Sequence, residues 1–174
     1  SAAGFLAEKA SVSHLRDLRD SSDEQGYSKA VWQEMAEMGW AGIAIPEAFG
    51  GLGYGYTGLG IVLEQMGRNL SASPLQSGVL VAATLVARLG SEEQKEQLLP
   101  AIAAGEKLLS LALQETAHHA PQKCAMTAVR SGEAYTLSGS KIMVLDAHVA
   151  DGFIVIARNS GLPGDESGLS AFLV

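Results

Sequence analysis

The chain has a single cysteine, Cys124, so it cannot form an internal disulfide. No companion ligands sit at metal-site spacing around it, and the residue type is most at home as a small buried apolar group. Charged residues are scarce, at 18% against 47% hydrophobic. That balance excludes a disordered chain and implies that part of the surface meets another surface. The formal charge of -7 comes without any Lys/Arg cluster, which removes nucleic acid and anionic membrane faces as partners. The longest apolar run, Val79 to Ala87, falls far short of the roughly 18 residues that suggest a membrane span. No basic segment followed by an apolar core opens the chain, so no signal peptide is read and a cytoplasmic location is expected. There is no HExxH, no cysteine pair and no GxSxG elbow, which leaves metal-dependent and serine hydrolase chemistry without support.

What is present divides into two kinds of pattern. Up to about residue 110 the apolar spacing is helical, and an all-α domain is expected over 1–110. Phe5 to about Arg19 reads as one segment that ends in the solvated connector Asp20–Gly26. Ser28 is placed to cap a second helix whose stripe, Val31, Trp32, Met35 and Met38, belongs to a core and ends at Gly39. Ile61 to Gly67 suggests a third helix, and Ser77 to Leu89 a fourth that is apolar on nearly every side and must be buried. Ser91-Glu-Glu-Gln94 is a capping box that starts a fifth helix, which Pro100 is expected to interrupt and Gly105 to close. After Lys107 short runs take over: 108–113, 125–129, 134–137, 153–157 and 169–174, separated by Ser-Gly, Gly-Ser and Pro-Gly signals. They predict an incomplete antiparallel sheet or barrel over 111–174, and an α+β chain as a whole. The missing Met at position 1 and the abrupt end of a strand-like run at Val174 suggest a piece of a longer protein.

Gly53-Tyr-Gly-Tyr-Thr-Gly58 matches G-x-G-x-x-G, but no strand-like run precedes it, so a sharp glycine-rich turn between helices is the better reading. His118 and His119 point apart as adjacent residues and cannot jointly hold a metal, although one of them could stand near an anionic ligand. Two β-like runs flank a Gly-Ser-Lys turn, so Leu111 to Thr116 and Ser138 to Asp151, about thirty residues apart, could be brought side by side on one sheet edge. Lys141 and the stretch Asp146 to Asp151 place charge there, either as part of a site or as ordinary turn solvation.

Several segments in order resemble the acyl-CoA dehydrogenase family. They are the Trp32 to Gly51 stretch with its Met-Gly-Trp-Ala-Gly-Ile-Ala-Ile-Pro-Glu core, Val62 to Arg68, Gly90 to Lys95, Leu99 to Glu106, Leu113-Gln-Glu115, Gly139-Ser-Lys141 and Ala150-Asp151. The resemblance implies a helical domain, then a β domain that holds FAD, then a second helical bundle carrying the carboxylate base. No catalytic residue is therefore expected up to Val174. Carried over by position, cofactor contacts fall to Leu111, Leu113 and Gln114 on one segment and to Met143, Val144 and Leu145 on the other, and acyl-CoA contacts to His119 and Ala120. The same resemblance implies an acyl-CoA substrate, an electron-transfer acceptor protein and a homo- or hetero-tetramer. Departures stand out: Gln114 replaces a Thr, Thr116 a Pro, Ala117 to Pro121 a Gly-x-Gly-Ser-Asp, and Met143 and Leu145 a Trp and a Thr. The segments also look like a divergent bacterial branch associated with bulky or sterol-derived acyl-CoA substrates. These departures keep two alternatives open: a non-catalytic subunit of a hetero-oligomer, and a flavin oxidase or monooxygenase of the same fold.

Overall fold

The computed structural model describes all residues from Ser1 to Val174. They form two compact units, Ser1–Leu108 and Leu109–Val174. The first is helical: α1 (Ala2–Lys9), α2 (Val12–Asp20), α3 (Lys29–Glu37), α4 (Gly55–Asn69), a π-helical segment (Leu75–Ala83), α5 (Thr84–Leu89) and α6 (Glu92–Ala103). The single opening helix expected from the sequence is two, because the Ser11 hydroxyl caps α2 by accepting from His14 N and so breaks the run. Ser28 caps α3 by accepting from Val31 N. Of the expected stripe, Trp32 and Met35 are buried, whereas Met38 is 42% exposed because the helix ends at Glu37 and turns it outward.

The capping box of α6 is complete: Gln94 N donates to Ser91 Oγ and Ser91 N donates to Gln94 Oε1. Pro100 does not interrupt this helix. It lies inside α6, which continues to Ala103, and Leu99 and Ile102 on either side of it are buried. The hydrophobic anchoring of that turn outweighs the one backbone bond that a proline removes. The chain then turns at Gly105, in the left-handed region at φ 73°, and its carbonyl accepts from Trp32 Nε1 at 3.0 Å. The segment expected to be buried on all sides is largely so, with Leu75, Val79, Ala82 and Val86 in the core, but Leu89 at its end is exposed. Gly53 before α4 and Gly55 at its first position both take positive φ, and no strand precedes them, so the G-x-G-x-x-G match is a turn rather than a nucleotide loop.

The second unit is a five-stranded sheet: β1 (Leu109–Ala112), β2 (Thr127–Ser131), β3 (Ala134–Ser138), β4 (Gly152–Arg158) and β5 (Leu169–Leu173). It is mixed where an antiparallel sheet is expected. β1 runs parallel to β4, with Leu109 opposite Gly152, and β2 is parallel to β4 at Thr127 and Arg158. The hairpin β2–β3 and the pair β4–β5 are antiparallel. The reason is the long excursion after β1, which returns the chain to β4 in the same direction rather than through a tight turn. Because β5 pairs with β4 over Ile154–Arg158, β1 and β2 must share the other edge of β4, one after the other. Tyr135 of β3 and Phe172 of β5 meet with ring centroids 5.0 Å apart, so the sheet curls across β4.

Candidate functional site

The shared edge of β4 has a break. β1 ends at Ala112, β2 begins at Thr127, and the chain between them leaves the sheet beside Ile156 and Ala157. Points where neighbouring strands part are where sheets expose main-chain groups to a ligand. Into this break come the two segments that the sequence places side by side. They are not the strands expected there: β1 stops at Ala112, and residues 139–151 form no strand, because side-chain and single backbone bonds rather than a ladder hold them. Ile142 N donates to the Gln114 carbonyl at 2.8 Å, Lys141 Nζ donates to the Leu113 carbonyl at 3.2 Å, and Ser110 Oγ donates to the Leu145 carbonyl.

Each residue singled out from the sequence has a definite place. Leu111 lies within β1 and Leu113 just beyond it, both half-buried. The Gln114 amide nitrogen is 2.6 Å from His119 Nδ1, which folds the loop back on itself and leaves His119 exposed with Ala120 half-buried beside it. His118 is exposed, and no group of His, Cys, Asp and Glu side chains in the chain could hold a metal ion. On the opposing segment Met143 takes a positive φ of 53°, an unusual conformation for a side-chain-bearing residue and a sign of local constraint. Met143 and Leu145 are 65% and 56% exposed, with Val144 half-buried between them. An exposed pair of large apolar side chains beside main-chain polar groups suits a flat heteroaromatic ring that is apolar on its faces and polar at its edge.

Beneath this surface lies a polar cluster that spacing alone does not predict. Lys141 Nζ and Glu115 Oε1 pair at 2.7 Å with side chains only 5% and 16% exposed, so Lys141 is not a solvated turn residue. The Glu115 carboxylate also accepts from Ala125 N at 2.7 Å, Met126 N at 3.0 Å and Cys124 Sγ at 3.2 Å. Burial pushes the Glu115 pKa up, but the Lys141 ammonium and the two backbone N–H groups outweigh it and hold the carboxyl at about 2. Cys124 is buried as expected, yet it is also a hydrogen-bond donor. Burial and the neighbouring carboxylate raise its pKa and keep the thiol protonated.

Arg158, at the end of β4, is 5% exposed and meets no carboxylate. Its guanidinium donates to the carbonyls of Cys124, Gln122, Ser160, Ser167 and Asp165 at 2.8 to 3.3 Å. That matches the five N–H donors of the side chain and ties the loop before β2 and the β4–β5 loop to the central strand. The signal that could have exposed the Lys141–Glu115 pair was one charge of each sign at two strand ends already expected to be neighbours.

The profile for "Acyl-CoA dehydrogenase, N-terminal domain" matches residues 1–106. The chain belongs to the acyl-CoA dehydrogenase family. It is 32% identical over 161 residues to acyl-CoA dehydrogenase FadE27 of Mycobacterium tuberculosis, a match that covers 92% of this chain and 40% of that protein. Among solved structures it is similar to a variant of the Tcur3481-Tcur3483 steroid ACAD, with a TM-score of 0.86 and 33% identity over 99% of this chain and 45% of that one. It also resembles an acyl-CoA dehydrogenase from Bacillus anthracis complexed with FAD, with a TM-score of 0.83 and 27% identity over 99% of this chain and 30% of that one. The chain thus spans less than half the length of these relatives. The likeness extends through both units.

Proposed function

We propose that the protein containing this chain is an FAD-dependent acyl-CoA dehydrogenase that oxidises an acyl-CoA to the trans-2-enoyl-CoA, and that Leu109–Val174 supplies part of its flavin site. The observation that carries this reading is the pairing of main chain at 113–114 with 141–142 at a break in the sheet edge, under an exposed apolar surface. Family membership and the FAD complex of the Bacillus anthracis relative support it. When bound, FAD accepts the hydride from the β carbon of the acyl chain. The residues here act by position. Leu111, Leu113 and Gln114 present the end of β1, Met143, Val144 and Leu145 the connection between β3 and β4, and the Gln114 amide offers both a donor and an acceptor to the edge of the ring. Leu145 has no hydroxyl to donate to the flavin, so polar contacts from that segment come from backbone groups. His119 and Ala120, on the loop that turns back to Gln114, face the acyl thioester in this reading.

No residue of this chain is assigned as the base for the α proton; that carboxylate belongs to a following helical segment of the whole protein. The chain by itself is therefore inactive. Incubating it with FAD, an artificial electron acceptor and a series of acyl-CoA esters tests this, and turnover above background would overturn it. The whole protein is expected to show that turnover, with sterol-derived or other bulky acyl-CoA esters among its substrates, an electron-transfer protein as its acceptor, and a homo- or hetero-tetrameric state in the cytoplasm. The engagement of Gln114 with His119 favours one second reading, a subunit that keeps the fold without turning over. Purification of the whole protein free of flavin would select it.

A further inference from the structure

The buried cluster beside segments 111–114 and 143–145, which together form the flavin cradle of the proposed function, does more than satisfy buried charge. Lys141 and Ile142 together grip three consecutive residues of the facing segment: Lys141 Nζ holds the Leu113 carbonyl and the Glu115 carboxylate, and Ile142 N holds the Gln114 carbonyl between them. The second carboxylate oxygen of Glu115 takes Ala125 N, and the first also takes Met126 N. From there the grip is anchored to the central strand, since Arg158 N donates to the Met126 carbonyl at 2.8 Å and Arg158 Nε to the Cys124 carbonyl at 3.1 Å. Three segments thus meet at one buried ion pair, and β4 is tied to it through the main chain of Cys124 and Met126.

Buried ion pairs are weak contributors to net stability, because desolvation offsets most of the attraction, whereas their geometry is strict. A leucine and a methionine would fill the same space without a desolvation cost. They could not fix the spacing of the Leu113 and Gln114 carbonyls against the backbone of 142–145. We propose that the Lys141–Glu115 pair is a positioning lock for the flavin cradle, setting the separation of its two segments and so the affinity and electronic environment of the bound flavin. This rests on the flavin reading above. The two residues touch no ligand in this account; they act through the main chain that does. The lock makes Lys141 and Glu115 the determinants of cradle width, while Gln114, Met143 and Leu145 determine what the cradle contacts.

The test uses the whole protein, stripped of flavin and titrated with FAD while flavin fluorescence and the visible absorption band are followed. Wild-type apoprotein that binds no FAD would refute the flavin reading itself, before any variant is compared. If the wild type binds, K141Q is expected to lose FAD affinity by about 10- to 100-fold, the range seen when groups that orient ligating atoms in metal sites are removed. The flavin absorption band should shift as well, because the cradle no longer holds the ring at one spacing. K141R, which keeps the charge but not the compact ammonium, should recover part of the affinity. K141Q leaves the Glu115 carboxylate unpaired and could unfold the unit. E115Q/K141Q buries no lone charge and can still form an amide–amide hydrogen bond, so it carries the test in that case, with foldedness checked by far-UV circular dichroism. Wild-type FAD affinity together with an unshifted absorption band in folded E115Q/K141Q would overturn the lock. Weaker binding with a shifted band, partly restored in K141R, establishes it.

Discussion

The two units solve burial differently. Ser1–Leu108 is held by apolar packing: Leu6, Met35, Leu59, Leu75, Leu99 and Ile102 are all essentially inaccessible, and Ser77 is its one buried polar side chain. Leu109–Val174 has a thinner apolar core, chiefly Leu109, Ile154, Val155 and Ala157, and relies on Arg158, Ser110 and the Lys141–Glu115 pair to close its loops. No buried side-chain nitrogen or oxygen in either unit lacks a partner. Apolar packing is non-directional and tolerates adjustment, whereas hydrogen-bonded charge specifies distance and angle. In the function proposed above, the unit that presents main-chain groups to the flavin is the one built on directional contacts.

This contrast predicts where each unit breaks. The largest effect is expected in the helical unit, where Leu99→Ala empties a fully buried site in the middle of α6 and should cost about 2 to 5 kcal/mol, measured by denaturant unfolding. Its effect on the sheet's near-ultraviolet signals should be small if the units unfold separately. In the sheet, Arg158→Met removes five donors from carbonyls of which only that of Cys124 belongs to a buried residue. Water can reach the other four, so the loss should cost about 3 kcal/mol, most of it from the one acceptor left buried and the broken loop ties. An Arg158→Met protein as stable as the wild type would mean that apolar contacts hold the sheet too, and the contrast between the units would fail.

A smaller, pH-dependent effect comes from Glu115. Its carboxyl titrates at about 2 in the fold and near 4.3 in an unfolded chain. The stability it contributes is complete above about pH 4.3 and is lost as pH falls towards 2, because the unfolded chain then binds the proton more readily. Glu115→Gln should flatten the acid limb of the sheet's unfolding midpoint and leave that of the helical unit unchanged. The smallest change is expected from Ser91→Ala, which opens the capping box of α6 at an exposed helix end and should cost about 1 kcal/mol. The helical unit should then lose a few degrees in a thermal melt without any shift in the sheet.

Much of the helical unit was legible in the sequence because its signals are local. Ser28 and the Ser91–Gln94 box each act within one turn of chain, and an apolar stripe reports burial whatever lies opposite. The same locality explains the errors. Pro100 carries a strong local signal against helix, but the burial of Leu99 and Ile102 around it overrides that signal. The split at Ser11 is a competing cap hidden inside a helical composition. In the sheet, the five strands were visible as short apolar runs, whereas their direction was not. Parallel and antiparallel neighbours use the same residue types, and only the path of the chain between β1 and β4 settles which is formed.

What the sequence determined by itself is therefore the list of elements, their caps, the near-absence of clustered positive charge and the family to which the order of motifs belongs. These depend on neighbours within a few residues, or on the order of segments along the chain. Tertiary structure alone decided that β1 and β2 share one edge of β4, that residues 113–126 fill the chain between them, that Lys141 meets Glu115 there, and that Arg158 meets five carbonyls of two loops. The physical reason is separation. Glu115 and Lys141 are 26 residues apart, and nothing in the types of the residues between them records the distance at which folding brings a carboxylate and an ammonium out of water together.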